Sequence, residues 1–99
     1  MYPNQLNKII HERVRLAIMT ALVTRDKLTF PELKDMLRVT DGNLSVHASH
    51  LEKHGLIRVE KDFVGKKPRT TFFITPEGKQ QFRQYITDLE QMLEQAKKA

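Results

Sequence analysis

Between Thr29 and Glu77 the chain is punctuated so closely that no long element fits, and each mark says what kind of short element it bounds. "TFPEL" sets Thr29 and Glu32 at the spacing of a capping box, with Pro31 in the first turn, so a short helix begins here and runs to about Leu37. Thr40 of "RVTDGN" can accept backbone N–H bonds and opens another helix. That helix ends at "HG", where Gly55 can take the left-handed conformation. "LIRVEK" alternates in polarity and "TTFFIT" is β-branched and aromatic, so the two read as hairpin strands around "DFVGKKPR". Thr75, followed by Pro76 and Glu77, caps a last helix that runs toward the C-terminus.

Ahead of this stretch, from about Asn4 to Thr24, Ile10, Val14, Ala17, Ile18, Ala21 and Leu22 recur at helical spacing. Arg13 and Arg15 fall on other faces, as in an amphipathic helix. "RDKLT" interrupts the pattern before the next helix. The order is helix, helix, helix, strand, strand, helix, in a chain of 99 residues, too small for a second core. The expected fold is α+β and mainly helical: a single winged helix-turn-helix domain over 1–99, with three helices, a β-hairpin wing and a long C-terminal helix.

Resolved by direction, the third helix carries Leu44, Ala48 and Leu51 on one stripe, the core side. Gly42, Ser45, Val46, Ser49 and Lys53 lie on the opposite stripe. Small hydrogen-bonding side chains let a helix enter a major groove about 12 Å wide, where bulky ones would hold it off the bases. Ser45 and Ser49 can bond base edges or phosphates, Val46 suits a thymine methyl, and Lys53 suits a phosphate or guanine. An ordinary solvated face would carry long charged residues, and an exposed valine there asks for a reason. His47, His50 and His54 share a third side at a spacing that can bind a transition metal; the competing use is partial packing or phosphate contact at the domain edge.

Charge points the same way. Lys and Arg number 17 against 12 acids, a formal net of +5, which suits a polyanionic partner. From Lys53 to Arg69 there are six cations and two acids, so most of the excess sits on the hairpin and its approach. Gly65 permits a sharp turn and Pro68 stiffens the tip. Lys66, Lys67 and Arg69 are thereby set to meet phosphates or enter a minor groove, and the competing use is to blunt a sheet edge. The absence of cysteine removes disulfides, thiolate metal sites and cysteine nucleophiles. No apolar run approaches the ~20 residues that span a bilayer, and the start lacks a signal-peptide pattern, so a cytoplasmic location and no membrane partner are expected. Neither a nucleophile–base pair nor a phosphate-binding glycine loop is present, and no cofactor is implied, so an enzyme is not expected.

Over the last helix, residues 77–99, Phe82, Ile86, Leu89 and Leu93 recur at alternating four and three, the stripe of a helix seam. Tyr85 and Met92 widen it. About 20 helical residues extend about 30 Å, more than a domain this small can cover, so the remainder invites a second copy. With no cation from Gln84 to Ala96, this end is expected to point away from DNA.

Taken together, "RLAIMTAL", "LTFPELKDMLRVTDGNLSVHASHLEKHGLIRVEK" and "FVGKKPRTTFFITPEGKQQF" resemble the small winged-helix transcriptional regulators related to the MarR and ArsR groups, over about Arg15 to Leu93. The resemblance implies that the third helix is a recognition helix presenting Thr40, Gly42, Asn43, Ser45, Val46 and Ser49. It also implies that Lys66, Lys67 and Arg69 are wing cations. Its members act as dimeric repressors or activators, which implies a sequence-specific double-stranded DNA-binding regulator, a repressor by preference, acting as a homodimer with an effector that the sequence does not specify. Lacking cysteine, the chain departs from the thiolate-based ArsR metal sensors. The other function class left open is a winged-helix protein-interaction module that does not read bases.

Overall fold

The computed structural model describes residues 5–99. Among them, the order is α1 (Arg13–Arg25), β1 (Lys27–Thr29), α2 (Phe30–Leu37), α3 (Asp41–Lys53), β2 (Ile57–Val64), β3 (Lys67–Ile74) and α4 (Pro76–Lys97). This is the expected α+β winged-helix architecture, with one strand added. No helix among the described residues is long and apolar enough to cross a membrane.

The capping residues named from the sequence make their bonds. Thr29 and Glu32 complete a reciprocal capping box, with Thr29 N–H donating to Glu32 Oε1 at 2.9 Å and Glu32 N–H to Thr29 Oγ1 at 3.3 Å. Thr40 Oγ1 accepts from Asn43 N–H at 3.1 Å, and Thr75 Oγ1 accepts from Gly78 N–H at 2.9 Å. After α3, Gly55 takes φ +74°, the left-handed exit expected of it.

The first helix differs from expectation. It starts at Arg13, because the Glu12 carboxylate accepts from the backbone N–H groups of Val14 and Arg15 and acts as its N-cap. Upstream, Asn7 Oδ1 accepts from Ile9 and Ile10 N–H at 2.8 and 3.1 Å, folding residues 5–12 into turns. Leu6 and Ile10 are nonetheless buried, at positions that continue the helical apolar spacing, which is why the segment imitates a helix in sequence. Asn4 lies outside the described residues.

The three strands form an antiparallel sheet in the order β1-β3-β2. β1 is only three residues of the "RDKLT" interruption, pairing Leu28 with Phe72, and too short to alternate visibly in sequence. The hairpin strands run further than "LIRVEK" and "TTFFIT": pairing continues through Asp62↔Arg69, Phe63↔Pro68 and Val64↔Lys67, leaving only Gly65 and Lys66 as the turn. Gly65 has φ +64°, the conformation a two-residue hairpin loop requires at its first position. Pro68 is tolerated within β3 because β1 stops at Thr29↔Thr71, so no neighbour on that side asks for its missing N–H.

Ile10, Ile18, Leu22, Leu33, Leu44, Leu51, Leu56, Phe72 and Tyr85 are fully or almost fully buried in one core. Each aliphatic or aromatic side chain so buried contributes about 1.5–3 kcal/mol. The core clamps α3 from behind: Leu44, Ala48 and Leu51 are its buried residues.

Candidate nucleic-acid interface

Because Leu44, Ala48 and Leu51 commit one stripe of α3 to the core, a helix repeat of 3.6 residues turns the opposite stripe outward. Gly42, Ser45, Val46, Ser49 and Lys53 are all exposed there, Val46 to 56%, and Thr40 and Asn43 are exposed at the start of the helix. A methyl group added to Gly42 would meet nothing within 4 Å, so no contact inside the molecule requires glycine at that position.

Ser45 and Ser49 also form one wall of a groove of about 450 Å³ between α3 and the sheet, closed opposite by Val59, Lys61, Thr70 and Phe72. Glu52 and Phe30 complete it. Lys61, Thr70 and Glu52 were not singled out from the sequence. For Lys61 and Thr70 the signal is the strand parity that puts Val59, Lys61 and Phe63 on one face, usable only once the register with β3 is known.

The six cations between Lys53 and Arg69 divide into two groups. Arg58 pairs with Glu60, and its guanidinium lies 4.3 Å from the Phe73 ring centre. Arg69 donates from Nε and Nη2 to the two Asp62 carboxylate oxygens at 3.0 and 2.6 Å, a bidentate pair across the hairpin. This qualifies the expectation for Arg69: it is exposed but already paired, since the register sets it opposite Asp62. Hydrogen bonding to Arg69 holds the Asp62 carboxyl below its ordinary range and pushes the Arg69 guanidinium up. Lys53, Lys61, Lys66 and Lys67 remain, exposed and without an ion pair among the described residues.

The histidines do not act as a set. His47 lies half-buried against α1, its Nδ1 3.4 Å from Glu12 Oε1 and 3.1 Å from Arg15 Nη1. His54 Nδ1 bonds the His50 carbonyl at 2.8 Å and helps close the end of α3. No three metal-binding side chains converge among the described residues, because the helix end and the α1 cap each claim one of the three. Glu12 is drawn in opposite directions. Burial pushes its carboxyl up, while the Arg15 N–H, the His47 ring, the Val14 N–H and the Arg15 charge pull it down, and the net is a lowered pKa.

On α4 the candidate seam is partly spent inside the molecule. Phe82, at 8% exposure, belongs to the core with Tyr85, so it is withdrawn from the expected seam. Tyr85 OH and His11 Nδ1 share a hydrogen bond of 2.8 Å, and Asn7 Nδ2 donates to Gln81 Oε1 at 2.7 Å, which lays the N-terminal segment along the first half of the helix. Ile86, Leu89 and Met92 are half-buried and Leu93 is 51% exposed.

A family model described as a winged helix DNA-binding domain matches residues 14–93. An uncharacterized protein of Methanocaldococcus jannaschii is 33% identical over 85 residues, covering 86% of this chain and 92% of that protein. Among solved structures, a transcriptional regulator homologue from Pyrococcus horikoshii is similar with a TM-score of 0.83 and 32% identity, over 89% of this chain and 87% of that one. An ArsR family transcriptional regulator is similar with a TM-score of 0.62 and 25% identity, over 95% of each chain.

Proposed function

The chain belongs to the winged helix DNA-binding domain family, and from that premise we propose that it is a homodimeric, sequence-specific double-stranded DNA-binding transcriptional repressor. The observation that carries the proposal is the outward face of α3. Ser45, Val46 and Ser49 are small and exposed, backed by a buried apolar stripe, with four lysines on the helix and wing that make no ion pair among the described residues. Bases are read by side chains that reach their edges, while lysines on phosphates hold the register. Thr40, Gly42 and Asn43 at the start of the helix, with the backbone N–H groups found there, suit a phosphate. The half-buried stripe of Ile86, Leu89 and Met92, continued by the exposed Leu93, suits a second copy, and a two-fold dimer would present two recognition helices to half-sites about one helical turn apart. Bound at a promoter, such a dimer represses by occupying the site.

Selection of bound duplexes from a random pool, followed by anisotropy titration across a salt series, tests this reading. Recovery of two-fold symmetric sites, bound more tightly than scrambled duplexes, is expected. Recovery of no preferred sequence, with no salt-sensitive binding, would return the chain to the protein-interaction class. Within the selected sites, Val46→Gln should change preference at the base pairs it faces by about 1–3 kcal/mol each. Equal loss on selected and scrambled duplexes would mean that the helix positions the protein without reading.

A further inference from the structure

The wing ends in a residue that the fold does not use. Phe63 is 71% exposed, more than any other large apolar side chain among the described residues. Strand parity assigns its direction. Val59↔Phe72 and Lys61↔Thr70 face the groove shared with α3, and Phe63↔Pro68 is the next rung on that same face. Since β1 stops at Thr29↔Thr71, the hairpin from Lys61 to Val64 is a two-stranded ribbon projecting about 13 Å, with no third strand to cover it. On the opposite face the Asp62–Arg69 pair braces the ribbon. Lys61, Lys66 and Lys67 surround the tip without ion pairs among the described residues.

A phenylalanine backed by proline and ringed by lysines suits an occupant that is apolar inside and anionic at its rim. A duplex minor groove meets that description: sugar and base edges form its floor and walls, and phosphates line its lips. An acidic protein surface meets only the second half. Resting on the functional reading above, we propose that Phe63 and Pro68 form an apolar wedge that enters the minor groove and partly unstacks one base step. The wing thereby reads deformability. Pyrimidine–purine steps unstack most readily and A-tracts resist, so the site should carry a flexible step where the wing lands, although no side chain bonds those bases. The lysines supply the phosphate contacts that hold the wedge in place.

The experiment uses duplexes selected by the wild-type protein and separates the wedge from its lysines. Phe63→Ala should weaken binding by about tenfold with an unchanged salt slope, because an apolar contact releases no counterion. Lys66→Ala with Lys67→Ala should flatten the slope by up to about 0.9 for each phosphate that these lysines neutralise. The Phe63→Ala loss should shrink when the flexible step beneath the wing is replaced by a stiff A-tract step. The chain has no tryptophan, so Phe63→Trp puts a single reporter at the tip, whose emission should be quenched and shielded from acrylamide when the duplex is saturated. Unaltered affinity in Phe63→Ala and an unshielded indole, on DNA that the wild type still binds, would overturn the wedge and leave the functional reading standing. Shielding that follows protein concentration without DNA would assign the tip to a protein contact and overturn it as well. A wild type that binds no duplex would remove both readings together. As the side chain is exposed, neither substitution threatens the fold.

Discussion

Gly42 and Gly78 differ in what an added Cβ would meet, and so in what a substitution there would report. Gly78 is buried in the first turn of α4, and a Cβ there would overlap the Leu56 carbonyl oxygen, so only glycine lets this helix approach the start of β2. Gly78→Ala should therefore destabilise the domain by about 1–3 kcal/mol or more, seen as a lowered Tm. Gly42→Ala, with open space around it, should leave Tm unchanged or raised by up to about 1 kcal/mol of stability. If the backbone of α3 approaches a phosphate there, the same variant loses DNA affinity. The sequence showed both glycines, but only the approach to Leu56 distinguishes them. The Asp62–Arg69 pair makes a second residue-scale point. Asp62→Asn should release Arg69 and raise both DNA affinity and the magnitude of the salt slope, by up to about 0.9 if the freed guanidinium neutralises one more phosphate. Weaker binding would mean that the pair serves to stiffen the wing.

At the scale of elements, local chemistry was legible where a threonine caps its own helix, as at Thr29, Thr40 and Thr75. The start of α1 was not, because glutamate is a less usual cap and the apolar spacing runs on through the turns before it. Its role has a pH signature. With a lowered folded pKa, ionised Glu12 contributes stability that is fully present above the ordinary carboxylate value and is lost as pH falls through the folded value. Glu12→Gln should cost about 1 kcal/mol near neutrality. The gap to wild type should close on acidification through the carboxylate range in denaturant melts; a gap that is constant with pH would assign the cost to packing. The wing was only half visible for a related reason. Turn residues announced a hairpin, but strands rich in charge, such as "DFV" and "KPR", have no apolar alternation, and pairing with a neighbour is what makes them strands.

The described residues span 57 × 25 × 20 Å, an elongated shape. α4 at 22 residues is about 33 Å long, and the N-terminal segment is bonded to it at Gln81 and Tyr85, both in its first half. Further along the stripe, Ile86, Leu89 and Met92 are half-buried and Leu93 is exposed. If a second copy covers that end, Leu93→Lys should dissociate the dimer in sedimentation while leaving the monomer folded, since a cation would enter the apolar seam. Leu89 is a less clean choice, because it already packs on its own core. A wild type that sediments as a monomer at micromolar concentration would refute the dimer.

What the sequence determined by itself is the set of features that depend on neighbours a few residues away. These are the order of helices and hairpin, the threonine caps of α2, α3 and α4, the glycine turns and the two stripes of α3, because capping and helical periodicity are local. Three matters waited on tertiary structure: which cations are free, which apolar residues of α4 the core takes, and which face of the wing carries Phe63. Each depends on register or packing between segments far apart in the chain. Asp62 neutralises Arg69 only because strand pairing sets them opposite. Phe82 leaves the seam because the core takes it. Parity along β2 has no direction until Phe72 is buried beneath α3 and the strand acquires an inside and an outside.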